Sequence, residues 1–480
     1  MQLNRKNIDQ ISDAQLIKPN NALFELPEKV LQFGTGVLLR GLPDYYIDKA
    51  NRAKVFNGRI VVVKSTSSGN TDAFEEQDGL YTTCIQGIEN GNIVKENIVN
   101  SSISRVVNAT TQWQKILDTV TNDNIQIIVS NTTESGIVDS DDDINDNPPS
   151  SFPCKLLAVL VRRFESCKGN TDNGFVILPT ELISENGTKL KEIVFGLAHK
   201  NKLSDDCLEW IANANYFCNT LVDRIVPGSY KNEELHYADK LMIMAEPYSL
   251  WAIETDNDIV KDRLCFAQID KGIILTPSIE KFKEIKLRLL NGSHTSSCAL
   301  AILSGFATVK DAMNNKCFFN FIKSLLLEEI GNAILSETVT QKDIQDFTYK
   351  VLDRFSNPFL EHQWSSIAVN YTEKLKLRCI PILDKYYKKY GKIPQGLTSG
   401  FAAYILLLAT NNNISDKWQP TIQKIWNSEP DPVIALLSNT EIWGTDLSQY
   451  KNLTGTIKDS IEQLSKINAT DVIESITFNA

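Results

Sequence analysis

The 480-residue sequence has no Cys-x-x-Cys pair and only four histidines, His199, His236, His294 and His362, set far apart. No local zinc signature can be built from them, so no metal is expected. The nine cysteines are scattered from Cys84 to Cys379. An odd, scattered set does not suit a disulfide-stapled secreted scaffold; buried free thiols in a reducing cytoplasm are expected. Positive charge is also short: Lys and Arg total 49, Asp and Glu 59, leaving a net charge of −10 and a pI near 5.2. A nucleic-acid binder needs a basic face, so no such partner is expected. No run approaches about 18 consecutive apolar residues, the length of a membrane span. The first twenty residues are polar, mixed in charge and without the apolar centre of a signal peptide. Any anionic substrate must therefore be held by a local cationic pocket, since the overall field repels it.

What is present is an ordinary globular composition, 42% apolar and 22% charged. The length suggests two to four domains. In the first half, short apolar runs alternate with helical patterns. Lys29–Phe33, Arg59–Lys64, Ile125–Val129 and Gly174–Leu178 read as strands. Continuous apolar runs suit a parallel sheet buried on both faces. After Pro153, Leu156, Leu157, Leu160 and Val161 recur at helix period. From about Lys281 onward helical patterns dominate. Phe318, Phe319, Phe321, Ile322, Leu325, Leu326 and Ile330 form one apolar stripe, read as core. Phe401–Ala409 and Ile457–Ile467 read as further helices. The fold class expected is α/β, a Rossmann-type dinucleotide-binding domain over residues 1–280 followed by a mostly α-helical substrate and catalytic domain over residues 281–480. The acidic stretch Asp139–Asp146 lacks EF-hand spacing and reads as a solvated loop.

Three segments carry chemistry. Phe33-Gly34-Thr35-Gly36, with Arg40 beyond it, follows the first strand directly. Glycines there let the chain turn sharply and let backbone N–H groups approach a pyrophosphate. A glycine turn needed only for packing is the plain alternative. The second strand ends at Lys64 without the acid that often grips a ribose, which leaves NADP open beside NAD. The third apolar run leads into Ser130-Asn131-Thr132-Thr133-Glu134, a polar cluster at the carboxyl end of a parallel strand, read equally as ligand site or helix cap.

The third segment is Lys286 to His294. On a continuous α-helix, Asn291 lies about 140° and His294 about 80° around from Lys286, with about 12 Å of rise from Lys286 to His294. Alternatively Asn291-Gly292 breaks the helix and brings its ends together. A lysine can exchange a proton with a carbonyl oxygen during hydride transfer, and an Asn amide and a His can stabilise the developing oxyanion. The plain alternative is a surface lysine, a helix-ending Asn-Gly and a satisfied histidine.

The Lys286, Asn291, His294 pattern resembles the signature of the polyol-specific long-chain dehydrogenases, the mannitol dehydrogenase family. Phe33–Gly36 with Arg40, Asn219–Pro227, Glu246-Pro247 with Trp251 and Glu254, Arg354–Pro358, and Lys374 through Arg378 to Pro381 match in order. The resemblance covers residues 28 to 385 well and the last hundred poorly. It implies Lys286 as general acid/base, Asn291 and His294 polarising the carbonyl, and no catalytic metal. It implies NAD held near Phe33, Gly34, Thr35, Gly36, Arg40, Asn131, Thr133 and Glu134. Arg354, Lys374 and Arg378 become candidates for a substrate carboxylate, with surface charge as the alternative for each. Asp223-Arg224 reads as a buried structural ion pair, with positioning of the nicotinamide side of the cleft as the alternative, and His362 as either a cleft residue or a helix residue.

Asn131–Glu134, Glu181-Leu182 and Asn186-Gly187 resemble the members that act on keto-uronates. They imply NAD-dependent reduction of D-tagaturonate to D-altronate, a small-molecule substrate and a cytoplasmic enzyme. Other members carry Asp-Asn where Glu181-Leu182 stands, and Leu182 cannot hydrogen-bond through its side chain. A fructuronate reductase, a mannitol-type dehydrogenase and a non-catalytic dinucleotide-binding regulator are the alternatives. Oligomeric state is not legible.

Overall fold

The computed structural model describes all residues except Ala14, 67–70, 133–135, Asn412, Asn468 and 477–480. Thr133 and Glu134 therefore lie outside the described residues. The chain divides into two compact units, residues 1–86 with 94–279, and residues 87–93 with 280–480.

The first unit centres on a six-stranded parallel sheet. Its strands are β1 (Glu28–Phe33), β2 (Arg59–Lys64), β3 (Ile103–Asn108), β4 (Ile127–Ser130), β5 (Val176–Pro179) and β6 (Tyr216–Phe217). They lie in the order β3-β2-β1-β4-β5-β6, the doubly wound arrangement of a Rossmann fold. Every residue of β2 and β4 is buried. Two apolar clusters cover the two faces, one built around Phe33, Val61, Ile128 and Leu157, the other around Val30, Val62, Val129 and Leu178. That double burial is why those strands read as unbroken apolar runs. The sequence reading missed β3, so the Ser130 cluster ends the fourth strand of the sheet, not the third. β3 is an edge strand whose burial alternates, and Ser104, Arg105 and Asn108 interrupt the apolar run.

A second sheet holds the strands Tyr81–Glu89 and Asn92–Asn100, joined by the turn Asn90-Gly91; residues 87–93, the tip of this hairpin, count with the second unit. Both turn residues have positive φ, 51° and 76°, as a tight two-residue hairpin requires. A three-stranded sheet, Thr220–Asp223, Leu250–Glu254 and Ile273–Thr276, completes the first unit. In the acidic loop, Lys200 pairs with Asp139 at 3.1 Å and Asp141 at 3.0 Å, as expected of a solvated surface.

The second unit is helical. It opens on one long helix, Glu280–Ile285 running through a π-helical stretch Lys286–Gly292 into α1 (Ser293–Leu303). Around it stand α2 (Gln341–Phe355), α3 (Tyr371–Arg378) and α4 (Gln395–Thr410). α1 is buried along Ser293–Ala301 on all sides. A Cβ on Gly400 would lie 2.0 Å from the Ser296 carbonyl, so a glycine lets α4 cross α1 this closely.

Candidate active site

The glycine turn is built by the backbone. Gly34 has φ +130°, and a Cβ there would meet Leu39 Cδ1 at 2.8 Å and the Asn131 carbonyl at 3.1 Å. Only glycine takes this conformation without strain. A Cβ on Gly36 would meet nothing within 4 Å, so that side of the turn is open. The turn sits where the ladders diverge: Gly34 N–H donates to Val63 O on β2's side, and Asn131 N–H to Phe33 O on β4's side. This is the topological switch point of the sheet, where open α/β folds take ligands.

Around it the side chains are mostly used internally. Phe33 is fully buried, its ring 5.2 Å from that of Phe152. Arg40 is buried and donates to the Leu241 carbonyl, with its guanidinium over the Tyr81 ring at 5.3 Å. Asn131 donates to Thr180 Oγ1 at 3.0 Å. Lys64 donates to the Thr66 carbonyl. Glu181 accepts from Thr132 N at 2.8 Å and Ser130 Oγ at 3.2 Å. Burial raises its pKa against those hydrogen bonds, which hold it down. Leu182 is exposed. Asn186 is a buried clamp, donating to Pro179 and Glu181 carbonyls at 3.0 Å and accepting from Thr220 N at 2.9 Å. Arg224 donates to the Glu246 and Gly41 carbonyls at 2.9 and 2.7 Å and lies over Tyr45, a structural part.

The helix of Lys286 departs from both geometries read from sequence. Asn291-Gly292 does not break it, and the turn is not α-helical throughout. In a π-helix the bonds run i→i+5. The wider turn rotates less per residue, so Asn291, five residues on, comes closer to the line of Lys286 than 140°. Gly292 serves close approach instead: a Cβ there would meet Ile382 Cδ1 at 2.9 Å. A widened turn leaves carbonyls short of i+4 donors, and hydroxyls take them up. Ser293 Oγ donates to Leu290 O at 3.1 Å, Thr295 Oγ1 to Asn291 O at 2.8 Å and Ser296 Oγ to Gly292 O at 2.9 Å. Farther along α1 the Tyr371 hydroxyl inserts into the ladder, donating to Thr295 O at 2.7 Å and accepting from Ala299 N at 2.9 Å.

His294 is the centre of the second unit's polar chemistry. Its ring lies flat on Phe355, centroids 3.9 Å apart and planes 2° apart. His362 meets it edge-on at 5.3 Å and Trp364 at 6.0 Å. Its Nε2 has no hydrogen-bond partner among the described residues. Burial pushes its pKa well down, and His362, Arg354, Arg378 and Lys374 push it further. Burial lowers His362 too, helped by Lys374 and Arg354. Lys374 is lowered by burial and then by Arg378. Two of these cations are pinned from behind. Arg378 Nη1 donates to Thr295 Oγ1 at 3.1 Å, and Lys374 Nζ to Ile367 O at 2.8 Å. Arg288 donates to the Leu377 and Arg378 carbonyls at 2.6 and 3.1 Å, fixing the end of α3.

So three cations spread over 25 positions of sequence, Arg354 to Arg378, converge with two neutral imidazoles on one neighbourhood. Lys286 and Asn291 are half-buried on the helix that carries His294. The sequence leaves His362 open between a cleft and a helix; it lies on no helix, and its ring stands against His294. A separate groove of about 730 Å³ beside Gly91, Phe319, Tyr349 and Asp353 contains none of the candidate residues. Among the described residues no group of three or more His, Cys, Asp or Glu is placed to hold a metal ion. No described helix is long and apolar enough to cross a membrane.

Comparison with known proteins adds the family. The profile of the mannitol dehydrogenase Rossmann domain matches residues 28–264, and that of the mannitol dehydrogenase C-terminal domain residues 278–465. The chain is 35% identical to a Bacillus subtilis protein named altronate oxidoreductase, over 94% of this chain and 95% of that one. It is 34% identical to the altronate oxidoreductase of Halalkalibacterium halodurans, over 91% of each. Among solved structures it is similar to Pseudomonas fluorescens mannitol 2-dehydrogenase in ternary complex with NAD and D-mannitol, with TM-score 0.71, 21% identity and 99% of both chains covered. A substrate-free D-sorbitol dehydrogenase gives TM-score 0.79 at 17% identity, covering 98% of this chain and 100% of that one. The shared architecture and the two matched profiles agree: the chain belongs to the mannitol dehydrogenase family and is an oxidoreductase acting on CH–OH groups.

Proposed function

We propose that the protein is an NAD-dependent reductase that interconverts D-tagaturonate and D-altronate in the cytoplasm. The carrying observation is the convergence of Arg354, Lys374 and Arg378 on His294, on the same helix as Lys286 and Asn291. A chain of net charge −10 needs such a local pocket to hold an anionic sugar acid. The names of its relatives, altronate oxidoreductases at 34–35% identity, support the same substrate class.

Residues 1–280 would hold the dinucleotide. The turn at Gly34 and Gly36 fits a pyrophosphate, since its outer side is open and its conformation is one only glycine takes without strain. The Thr35 and Asn131 backbones border it. Phe33 and Arg40 support the turn from within, as their internal contacts require. NAD is favoured over NADP because the Lys64 amine is already used by Thr66. Bound NADH supplies the hydride that reduces the ketone.

Residues 281–480 would do the rest. Lys286 gives its ammonium proton to the carbonyl oxygen as that oxygen gains charge, and regains a proton from solvent. In the oxidation direction the Lys286 amine takes the hydroxyl proton. Asn291 and the neutral His294 hold the same oxygen. Leu182 offers no side-chain donor, so the Asn that other members carry at this place has no counterpart here. Arg354, Lys374 and Arg378 hold the carboxylate.

The test is a steady-state panel of tagaturonate, fructuronate and fructose with NADH and with NADPH. Tagaturonate with NADH is expected to give the highest kcat/KM and fructose the lowest. A preference for fructuronate would move the protein to the D-mannonate reaction. No turnover of either keto-uronate would point to a regulator that kept the fold.

A further inference from the structure

Resting on the keto-uronate reading, we propose that His362 is a specificity residue that contacts the substrate's terminal carboxylate while His294 attends the ketone. Three observations carry this. The His362 ring stands edge-on to His294 with centroids 5.3 Å apart. In a keto-uronate of this class four C–C bonds separate the ketone carbon from the carboxylate carbon, and an extended zigzag of bonds near 1.5 Å spans about 5 Å. The two ring centres are separated by about the same length as the two functional groups, so one extended substrate can lie along both rings.

The second observation is the ring's freedom to bond. Neither ring nitrogen of His362 has a hydrogen-bond partner among the described residues, although the ring is half-buried. A half-buried imidazole that spends no hydrogen bond on the protein can exchange solvent for a ligand. Its strongest charged neighbours are Lys374 on α3 and Arg354 on α2, both cations. The adjacent carboxylate, Glu361, is paired to Lys310 and exposed. A neutral N–H beside two cations is a setting for an anion.

The third is rigidity. His362 lies on the connection between α2 and α3, and that connection is clamped. Val309 N donates to the His362 carbonyl at 2.9 Å, Trp364 N to the Ala307 carbonyl at 3.1 Å, and Thr308 bridges Gln363. A fixed backbone on both sides presents the ring in one place, as a recognition group requires.

Replacing the ring's donor isolates the claim. His362→Phe keeps an aromatic ring against His294 and removes the hydrogen bond. A hydrogen bond to a charged group is worth about tenfold or more in affinity. His362→Phe is therefore expected to raise KM for tagaturonate about tenfold, with kcat within about threefold and NADH affinity unchanged; His362→Gln recovers most of the loss. The preference for tagaturonate over fructose, which has a hydroxymethyl group instead of a carboxylate, falls by the same factor. An unchanged KM in a wild type that turns over tagaturonate overturns this inference and leaves the function standing. An equal loss in kcat with both sugars reduces His362 to a structural role and overturns it too. If the wild type turns over no keto-uronate, the function fails first and this inference with it. Should His362→Phe not fold, a crystal of wild-type enzyme with NAD and D-altronate decides. A carboxylate oxygen within hydrogen-bond distance of a His362 nitrogen is expected, and a carboxylate held elsewhere refutes the assignment.

Discussion

The turn after β1 and the neighbourhood of His294 are made of different materials. The turn owes its shape to missing atoms: a methyl at Gly34 would strike Leu39 and the Asn131 carbonyl. The His294 cluster owes its character to side chains from positions 294, 354, 362, 374 and 378, with Lys374 held by the Ile367 carbonyl and Arg378 by the Thr295 hydroxyl. A site made by backbone fails when atoms are added. A site made by side chains fails when they are removed. The largest expected effect tests the second half of that contrast. Lys286→Ala should lower kcat by about 10²–10⁴-fold, the range of a lost general acid, while the Kd for NADH measured by fluorescence stays within about twofold. An unchanged kcat, or a loss of activity traced wholly to weaker NADH binding, would refute the assignment.

Gly34→Ala should do the reverse. A non-glycine residue at φ +130°, with contacts at 2.8 and 3.1 Å, costs on the order of 1–3 kcal/mol. If that strain displaces the turn, NADH affinity falls about tenfold while kcat at saturating NADH changes little. A variant that keeps its NADH affinity and loses kcat would erase the distinction between the two regions.

The two regions also differ in how much the sequence discloses. β2 and β4 announce themselves because burial on both faces confines polar residues, Arg59, Lys64 and Ser130, to their ends. β3, at the sheet's edge, pairs on one side and carries Ser104 and Arg105, so its pattern resembles a loop. The glycine turn is readable because local backbone geometry demands a particular residue at a particular place. The helix of Lys286 is readable as a helix, but its π-turn is not. A shift from i+4 to i+5 bonding leaves the apolar spacing almost unchanged, and Asn-Gly mimics a stop. Family resemblance supplied Arg354, Lys374 and Arg378 as candidates. Their meeting with His294 is a matter of how α2 and α3 pack, which no local pattern encodes. His362 lies on an irregular connection, where periodicity has nothing to say.

The smallest effect expected sets one buried carboxyl of each unit against the other. In the first unit Asp44, beside Gln32 under the glycine turn, is pushed by burial up to about 8, the Arg40 charge only partly opposing. In the second, Glu329 accepts from Gly396 N at 2.8 Å and Leu397 N at 2.9 Å at the start of α4, and burial still raises it to about 7. Both folded values exceed the unfolded ones. Each fold therefore holds a proton that the unfolded chain has released, so the stabilisation is complete below the unfolded value and is lost as pH rises through the folded one. The window closes near pH 7 for Glu329 and near pH 8 for Asp44. Within a window one proton costs about 1.4 kcal/mol per pH unit, a few degrees of Tm for units of this size. Between pH 7 and 8 the slope belongs to Asp44, so Asp44→Asn should flatten the Tm profile there while Glu329→Gln does not. Between pH 5 and 7 each substitution should remove its own part of the decline. An Asp44→Asn protein whose Tm still falls between pH 7 and 8 as the wild type's does would show that the carboxyl under the turn is ionised, and that the glycine turn rests on a charge.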